Sequence, residues 1–290
     1  MNISRLVLPA PAKLNLMLRI TGRRTDGYHE LQSVFQFIDL CDTITLEITA
    51  DGTIERSRGN DAVPSEQDLL LRAAALLRQH TGCQPGARIA IEKHIPMGAG
   101  LGGGSSDAAT VLLGLNRLWG CDLSTESLAT LGLGLGADVP VFVHGFAAFA
   151  EGVGERLAAI ELAMPWYLVI TPQVHVSTAE IFNASELTRD CPAIKISHLF
   201  QGGSPDLWQN VCTPVAVARY PEIGQALALL GEHAESRMSG TGASVFAAFE
   251  SEQEASVVAA QMREHPESDG WNIVIAQGLN RSPLMAALDR

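Results

Sequence analysis

Residues 96–107, PMGAGLGGGSSD, hold five glycines within seven positions (Gly98, Gly100, Gly102, Gly103 and Gly104) and run directly into Ser105, Ser106 and Asp107. Each glycine costs conformational entropy on folding, so such a cluster makes sense only where the backbone must turn or be approached in ways other residues forbid. Val111, Leu115, Leu118 and Trp119 keep helical spacing beyond it, with Gly120 as the stop. A glycine loop feeding a helix N-terminus presents bare N–H donors and about half a positive charge, an arrangement suited to phosphate. It is not a Walker A loop, because no lysine follows the glycines. Gly98, Gly100 and Gly103 match G-x-G-x-x-G, but a dinucleotide fold wants an acidic residue at a strand end about twenty positions on. That distance lands on Asp122, in a loop before another helix, and Pro96 intrudes between strand and loop.

Two further residues stand out by type. Lys13 and Asn15 share one face of an alternating stretch whose other face carries Leu14, Leu16 and Leu18. A lysine there either points to water from a sheet edge or serves a site. Asp138 is a lone carboxylate in LGLGADVPVFV, and by itself that pattern fits a cap ahead of Val139-Pro140 as well as a base.

These residues need elements to hold them. RLVLPAPAKLNLMLRI (5–20) reads as a strand by the alternation of its second half, TGRRTDGYHE as a loop turning at Asp26-Gly27, and LQSVFQFIDL and DTITLEITA as two further strands. Ser65 and Asp68 form a capping pair ahead of a helix over LLLRAAALLRQH that Gly82 ends. ARIAIEKHI is a strand entering the glycine loop, and Ser124 caps a short helix after it. The stretch from 133 to 157 reads as a loop, an apolar strand and a hairpin-like return. Beyond a boundary near 160–165 come a strand (WYLVITP), a capped helix (STAEIFNA) and two helices (DLWQNVCTPVAVA and PEIGQALALLGEH). A strand–turn–strand unit (SRMSGTGASVFAAF), a helix opened by the Ser251–Glu254 capping box, and a last strand (WNIVIAQ) complete the chain.

Composition bounds the function. The 290 residues are 47% apolar and 18% charged, and the net charge of −12 leaves no basic run for nucleic acid or an anionic membrane. Five scattered cysteines without a CxxC, and eight histidines without ligand spacing, suggest reduced thiols rather than disulfides or zinc. The N-terminal apolar stretch is too short for a signal peptide, and glycines, Asp138, Pro140 and His144 interrupt the longest apolar region. A cytoplasmic protein is expected.

The stretch 96–107 resembles the central phosphate-binding motif of the GHMP kinases (galactokinase, homoserine kinase, mevalonate kinase and phosphomevalonate kinase). PAKLNLML (11–18) and SGTGASVFAAF (239–249) resemble the two motifs that accompany it, in the same order. TDGYHEL (25–31) and GADVPVF (136–142) are similar to the branch of that family acting on a cytidine diphosphate-linked polyol, the methylerythritol conjugate. The resemblance implies an α+β fold of two domains. Residues 1–162 would be of the ribosomal-protein-S5-domain-2-like type, and residues 163–290 would be ferredoxin-like.

It further implies ATP and Mg²⁺ as cofactors, small-molecule partners only, and a monomer or homodimer. Pro96, Met97, Gly98, Ala99, Gly100, Leu101, Gly102, Gly103, Gly104, Ser105 and Ser106 would hold the ATP phosphates. The resemblance makes Asp138 the general base and Lys13 its cationic neighbour beside the transferring group. Asn15 would hydrogen-bond the acceptor, and Thr178 would touch its polyol part. Tyr28 and Phe182 would stack on the cytosine, with His29 reading its edge. The metal ligands are unknown. Ala99 departs from the family, which often has glycine there, so its methyl group is expected to restrict the loop slightly. Another small-alcohol kinase of homoserine or mevalonate type is the alternative, and it would have no use for Tyr28, His29 and Phe182.

Overall fold

The computed structural model describes residues 4–59, 64–200 and 205–289. Strands β1 (Arg5–Arg23) and β2 (His29–Thr49) form one long antiparallel hairpin, paired from Arg5↔Glu47 to Arg23↔His29. The two strands expected over 31–49 are thus a single strand. The acidic residues Asp39 and Asp42 interrupt its apolar pattern without ending its hydrogen bonding. The register of β1 slips between Pro11 and Lys13 and again between Asn15 and Met17. Such irregularities re-aim side chains, and these two bracket Lys13 and Asn15.

Strand β3 (Ile54–Arg58) runs parallel to β4 (Gly86–Glu92), which lies antiparallel to β2. Between them comes α1 (Leu69–Thr81), capped by Asp68 accepting from the Leu70 N–H and closed by Gly82 at φ 71°. Ser65 is not part of that cap. Helix α2 (Gly103–Leu118) starts inside the glycine run, and α3 (Thr125–Leu133) is capped by Ser124 as expected. The apolar run VPVFVH is not a strand but helix α4 (Val139–His144). Its residues Val139 to Val143 are all buried, so periodicity could not tell helix from strand. Pro140 in the first turn, where no N–H is needed, favours the helix. Strands β5 (Ala148–Glu151) and β6 (Arg156–Ala159) then make the expected hairpin against β2.

The second half contains β7 (Trp166–Thr171), α5 (Thr178–Asn183), α6 (Ile196–Phe200), α7 (Thr213–Arg219), α8 (Pro221–Gly231), β8 (Ser236–Met238), β9 (Val245–Phe249), α9 (Glu252–Glu264), β10 (Asn272–Leu279) and α10 (Pro283–Leu288). The main sheet runs β3-β4-β2-β10-β7-β9-β8, so β10 joins the two halves by pairing its end with Ile38 and Phe37. The helix expected over 206–218 is broken: a single 3₁₀ turn at 205–208 precedes α7. Asn210 occupies the break, and its side-chain amide donates to the carbonyls of Met238 (2.9 Å) and Gly240 (2.7 Å). Sequence patterning missed β3, α6 and α10, all six residues or shorter.

Three apolar clusters fill the interior. One packs α1, α2 and α4 on the N-terminal strands through Leu8, Phe37, Ile44, Leu77, Ile89, Leu112 and Phe142. A second fills the C-terminal half around Ile170, Ile223, Val245 and Met262. A third, with Leu14, Met17, Ile38, Tyr167 and Phe246, joins them. Each fully buried large side chain contributes roughly 1.5–3 kcal/mol, so the two halves meet over a real core and the cleft above it has a stiff floor.

Candidate active site

All the residues singled out by chemistry except Ser106 line one cleft of about 740 Å³. The glycine loop forms one wall. Gly98, Gly100 and Gly102 have φ of 66°, 73° and 73°, a conformation that side chains resist. Space forbids side chains as well. A Cβ on Gly102 would lie 2.8 Å from Phe142 Cζ, and one on Gly100 would press on the carbonyls of Ser239 and Gly242. The intervening residues are buried: Ala99 and Leu101 are 2% and 1% exposed and belong to a core cluster. Ala99 thus packs into the core while its part of the loop still lines the cleft.

Neighbouring backbone clamps the loop. The Lys13 N–H donates to Leu101 O (3.0 Å) and the Ser244 N–H to Ala99 O (3.0 Å). Ser239 Oγ donates to Gly100 O at 2.9 Å while accepting from the Asn15 N–H at 3.1 Å. The turn 239–244 is thus both the link between β8 and β9 and a brace of the loop, and Gly240 and Thr241 line the cleft.

Lys13 and Asp138, 125 positions apart in sequence, meet at the tip of this loop. Lys13 Nζ lies 3.4 Å from Asp138 Oδ2, with the lysine side chain 3% exposed and the aspartate 35%. Asp138 precedes α4 but makes no side-chain cap hydrogen bond, which removes the helix-cap explanation of its presence. The ammonium also donates to Gly100 O (3.1 Å) and to Asn15 Oδ1, and it sits 5.4 Å from the Phe35 ring centroid. Phe35 therefore lines the cleft, whereas Val174 packs on the C-terminal core. Asn15 spends most of its capacity inside the chain, since its amide nitrogen also donates to Ser33 Oγ at 2.8 Å.

At the far end of the cleft Tyr28 is 62% exposed and His29 is 8% exposed. The His29 ring stacks on Phe182, with centroids 5.3 Å apart and planes at 26°. Burial, with the nearby charges of Arg189 and Arg23, lowers the His29 pKa below its ordinary value. Thr178 also lines the cleft and exchanges a hydrogen bond with Thr241 at 3.1 Å.

Ser105 faces the cleft, but Ser106 does not line it. Ser106 is fully buried in the first turn of α2, and its hydroxyl has no partner. The difference follows from helix geometry, since successive residues point about 100° apart. A buried ionic trio beneath α2 escaped the sequence reading. Lys93 Nζ donates to Asp42 Oδ2 (2.5 Å) and Asp107 Oδ2 (2.9 Å), and Asp42 Oδ1 accepts from the N–H groups of His94 and Ile95. One ammonium cannot neutralise two buried carboxylates. Burial pushes the Asp107 carboxyl up to about 7, and its Oδ1 is unpartnered. The available signal was the EKHI segment, a lysine closing an apolar strand just before the loop.

Comparisons with known proteins identify the family. Residues 68–146 match the GHMP kinases N terminal domain and residues 194–268 the GHMP kinases C terminal domain. The chain is 52% identical over 285 residues to a 4-diphosphocytidyl-2-C-methyl-D-erythritol kinase of Nitrosococcus oceani, covering 98% of this chain and 99% of that protein. The chain belongs to that family of GHMP kinases. A second 4-diphosphocytidyl-2-C-methyl-D-erythritol kinase, from Methylococcus capsulatus, is 50% identical over 97% of this chain and 94% of its own. Among solved structures, a 4-(cytidine 5'-diphospho)-2C-methyl-D-erythritol kinase superposes with a TM-score of 0.79 at 32% identity, covering 94% of this chain and 99% of its own. Homoserine kinase from Cytophaga hutchinsonii shares the GHMP kinase fold, with a TM-score of 0.72 at 16% identity over 97% and 96% of the two chains. This kinase is therefore an α+β protein of the two-part GHMP type.

Proposed function

We propose that this kinase transfers the γ-phosphoryl group of ATP to the 2-hydroxyl of 4-diphosphocytidyl-2-C-methyl-D-erythritol. The products are the 2-phosphate and ADP, a step of the non-mevalonate route to isoprenoid precursors. One observation carries the reading: a lysine–carboxylate pair 3.4 Å apart sits between a glycine phosphate loop and an aromatic end formed by Tyr28, His29 and Phe182, all in one cleft. A homoserine or mevalonate kinase would need no such aromatic end.

Phosphoryl transfer needs alignment and charge stabilisation more than covalent help. The loop N–H groups around Gly98, Gly100 and Gly102 would hold the phosphates, close to the N-terminus of α2. Asp138 Oδ2 takes the proton from the acceptor hydroxyl as that oxygen bonds to phosphorus and the bond to the ADP oxygen breaks. A free aspartate, with a pKa of about 3.9, is a weak base toward an alcohol, so the proton moves late and Asp138 chiefly orients the hydroxyl. Lys13 offers its ammonium to the charge spreading over the moving group, and Asn15 keeps that ammonium in place.

Among the described residues no cluster of three His, Cys, Asp or Glu side chains could hold a metal ion. Mg²⁺ would be carried by the ATP phosphates, and the Ser105 hydroxyl, which lines the cleft, is the protein group that would meet it there. When bound, it supplies positive charge to the phosphate oxygens. We place the domain boundary at residues 162/163, between the two family matches, with each half acting in a monomer or homodimer in the cytoplasm. No helix among the described residues is long and apolar enough to cross a membrane.

The test is ATP consumption with the cytidine diphosphate conjugate, homoserine and mevalonate offered separately. Turnover with the conjugate alone is expected, and turnover with either amino or acidic alcohol instead would overturn the reading.

A further inference from the structure

The proposed reading leaves one question open: how a pocket floored by aromatic rings tells cytosine from uracil. Stacking cannot do it, because every base has a π face. The two pyrimidines differ at their pairing edges. Cytosine carries an amine donor and a bare N3 acceptor, whereas uracil carries a carbonyl and an N3–H donor. A single protein donor aimed at N3 therefore attracts one base and confronts the other with a second hydrogen.

His29 is suited to be that donor only in one of its two neutral forms, and a neighbour decides which. Arg189 Nε donates to His29 Nε2 at 3.1 Å. A guanidinium has donors and no acceptor, so Nε2 must keep its lone pair and a neutral ring must carry its proton on Nδ1. Burial and the charges of Arg189 and Arg23 both favour the neutral ring. No hydrogen bond from Nδ1 is found among the described residues, that atom is not sealed from solvent, and His29 lines the cleft.

Arg189 is itself held firmly. Its Nη1 donates to Leu187 O at 3.0 Å, and its Nη2 donates to Phe182 O (2.9 Å) and Ala184 O (2.6 Å). The same guanidinium thus secures the end of α5, on which the Phe182 ring stacks against His29. The geometry points to Arg189 as a positioning residue that fixes His29 in the Nδ1–H form, so that the pocket selects a pyrimidine with an unprotonated N3. This inference rests on the cytidine reading of the cleft. It adds a residue that touches no substrate and was not visible as functional in the sequence.

Two measurements test it. The first is the ¹⁵N spectrum of the His29 ring in the ligand-free enzyme, assigned by comparison with His29→Gln. A protonated Nδ1 and bare Nε2 are expected in the wild type, and a shift toward the other form in Arg189→Met. The second is the ratio of kcat/KM for the cytidine diphosphate conjugate to that for its uridine counterpart. It should fall about 10-fold or more in Arg189→Met, the range of one lost base-reading contact. Arg189→Lys, which also only donates, should recover most of the ratio.

A wild-type ring protonated on Nε2 overturns the proposal, and needs no variant to fold. An unchanged ratio with both conjugates weakened equally also overturns it, because that is what a purely structural brace of Phe182 would produce. If the wild type ignored the cytidine conjugate altogether, the substrate reading would fall with the proposed selectivity, while the ring spectrum would still judge what Arg189 does to His29.

Discussion

Replacing Lys13 by Met removes the ammonium and keeps most of the buried stem. At 3.4 Å, a lysine–carboxylate pair interacts by about 5 kcal/mol at an effective dielectric of ~20 and about 1 kcal/mol in bulk water. Asp138 is 35% exposed, so the pair lies between these limits. What matters for rate is the charge that develops on the transferring group and has no counterpart before the reaction. Loss of one preorganised donor to such charge costs about 2.7–4 kcal/mol, or 10²–10³ in kcat. The fold should survive. Gly100 O keeps its bond from Ser239 Oγ, Asp138 is exposed enough for water to replace the ammonium, and Asn15 Oδ1 loses its donor, at a cost of about 1–3 kcal/mol. Steady-state kinetics of Lys13→Met, with melting as the folding control, should show kcat down by about 10²–10³ and KM for ATP changed far less. Asp138→Asn should behave alike, and the double variant should be little worse than either, since groups acting as a unit are not additive. A kcat within 10-fold of wild type, or a loss confined to KM, would refute the assignment of Lys13 to the reacting group.

Gly100→Ala and Gly120→Ala place a side chain at similar φ, 73° and 63°, but only the first meets backbone atoms. Both should lose roughly 1–2 kcal/mol to strain, while Gly100→Ala should melt several degrees lower still and lose kcat; equal melting points would mean the loop is free to move from the 239–244 turn. Tyr28→Ala or Phe182→Ala should raise KM for the cytidine substrate well above any change for ATP, and equal effects would displace the base pocket. Asp107, raised to about 7 by burial, keeps its proton in the folded state at pH values where the unfolded chain has lost it. The unfolded state then binds fewer protons, so this group makes stability fall as pH rises from about 4 to 7. Asp107→Asn should remove that slope, giving a melting-point advantage that is absent near pH 4 and present at pH 8; a constant difference across the range would contradict it.

Much of the fold was legible locally. Helices α1, α2, α3 and α9 announce themselves by caps and apolar spacing, and β7, β9 and β10 by short apolar runs between turn residues. The failures have one cause. Val139 to Val143 are apolar throughout because they are buried throughout, and the long β2 carries acidic residues that look like an interruption until Asp42 is seen holding the backbone between β4 and the glycine loop. Asn210 broke a helix to brace a turn nearly thirty residues later, a purpose no local pattern displays.

By itself the sequence determined the glycine loop, because a run of glycines before a helix start is a local statement about backbone freedom and bare N–H groups. It also named Lys13 and Asp138 as odd for their surroundings. Only the tertiary structure decided that the two stand 3.4 Å apart, that Ser105 rather than Ser106 faces the cleft, and that Arg189 donates to the ring of His29. The physical reason is range. Propensity, caps and turns act over a few residues, whereas an ion pair across 125 positions or a histidine tautomer set by a distant arginine exists only after packing has brought the chain together.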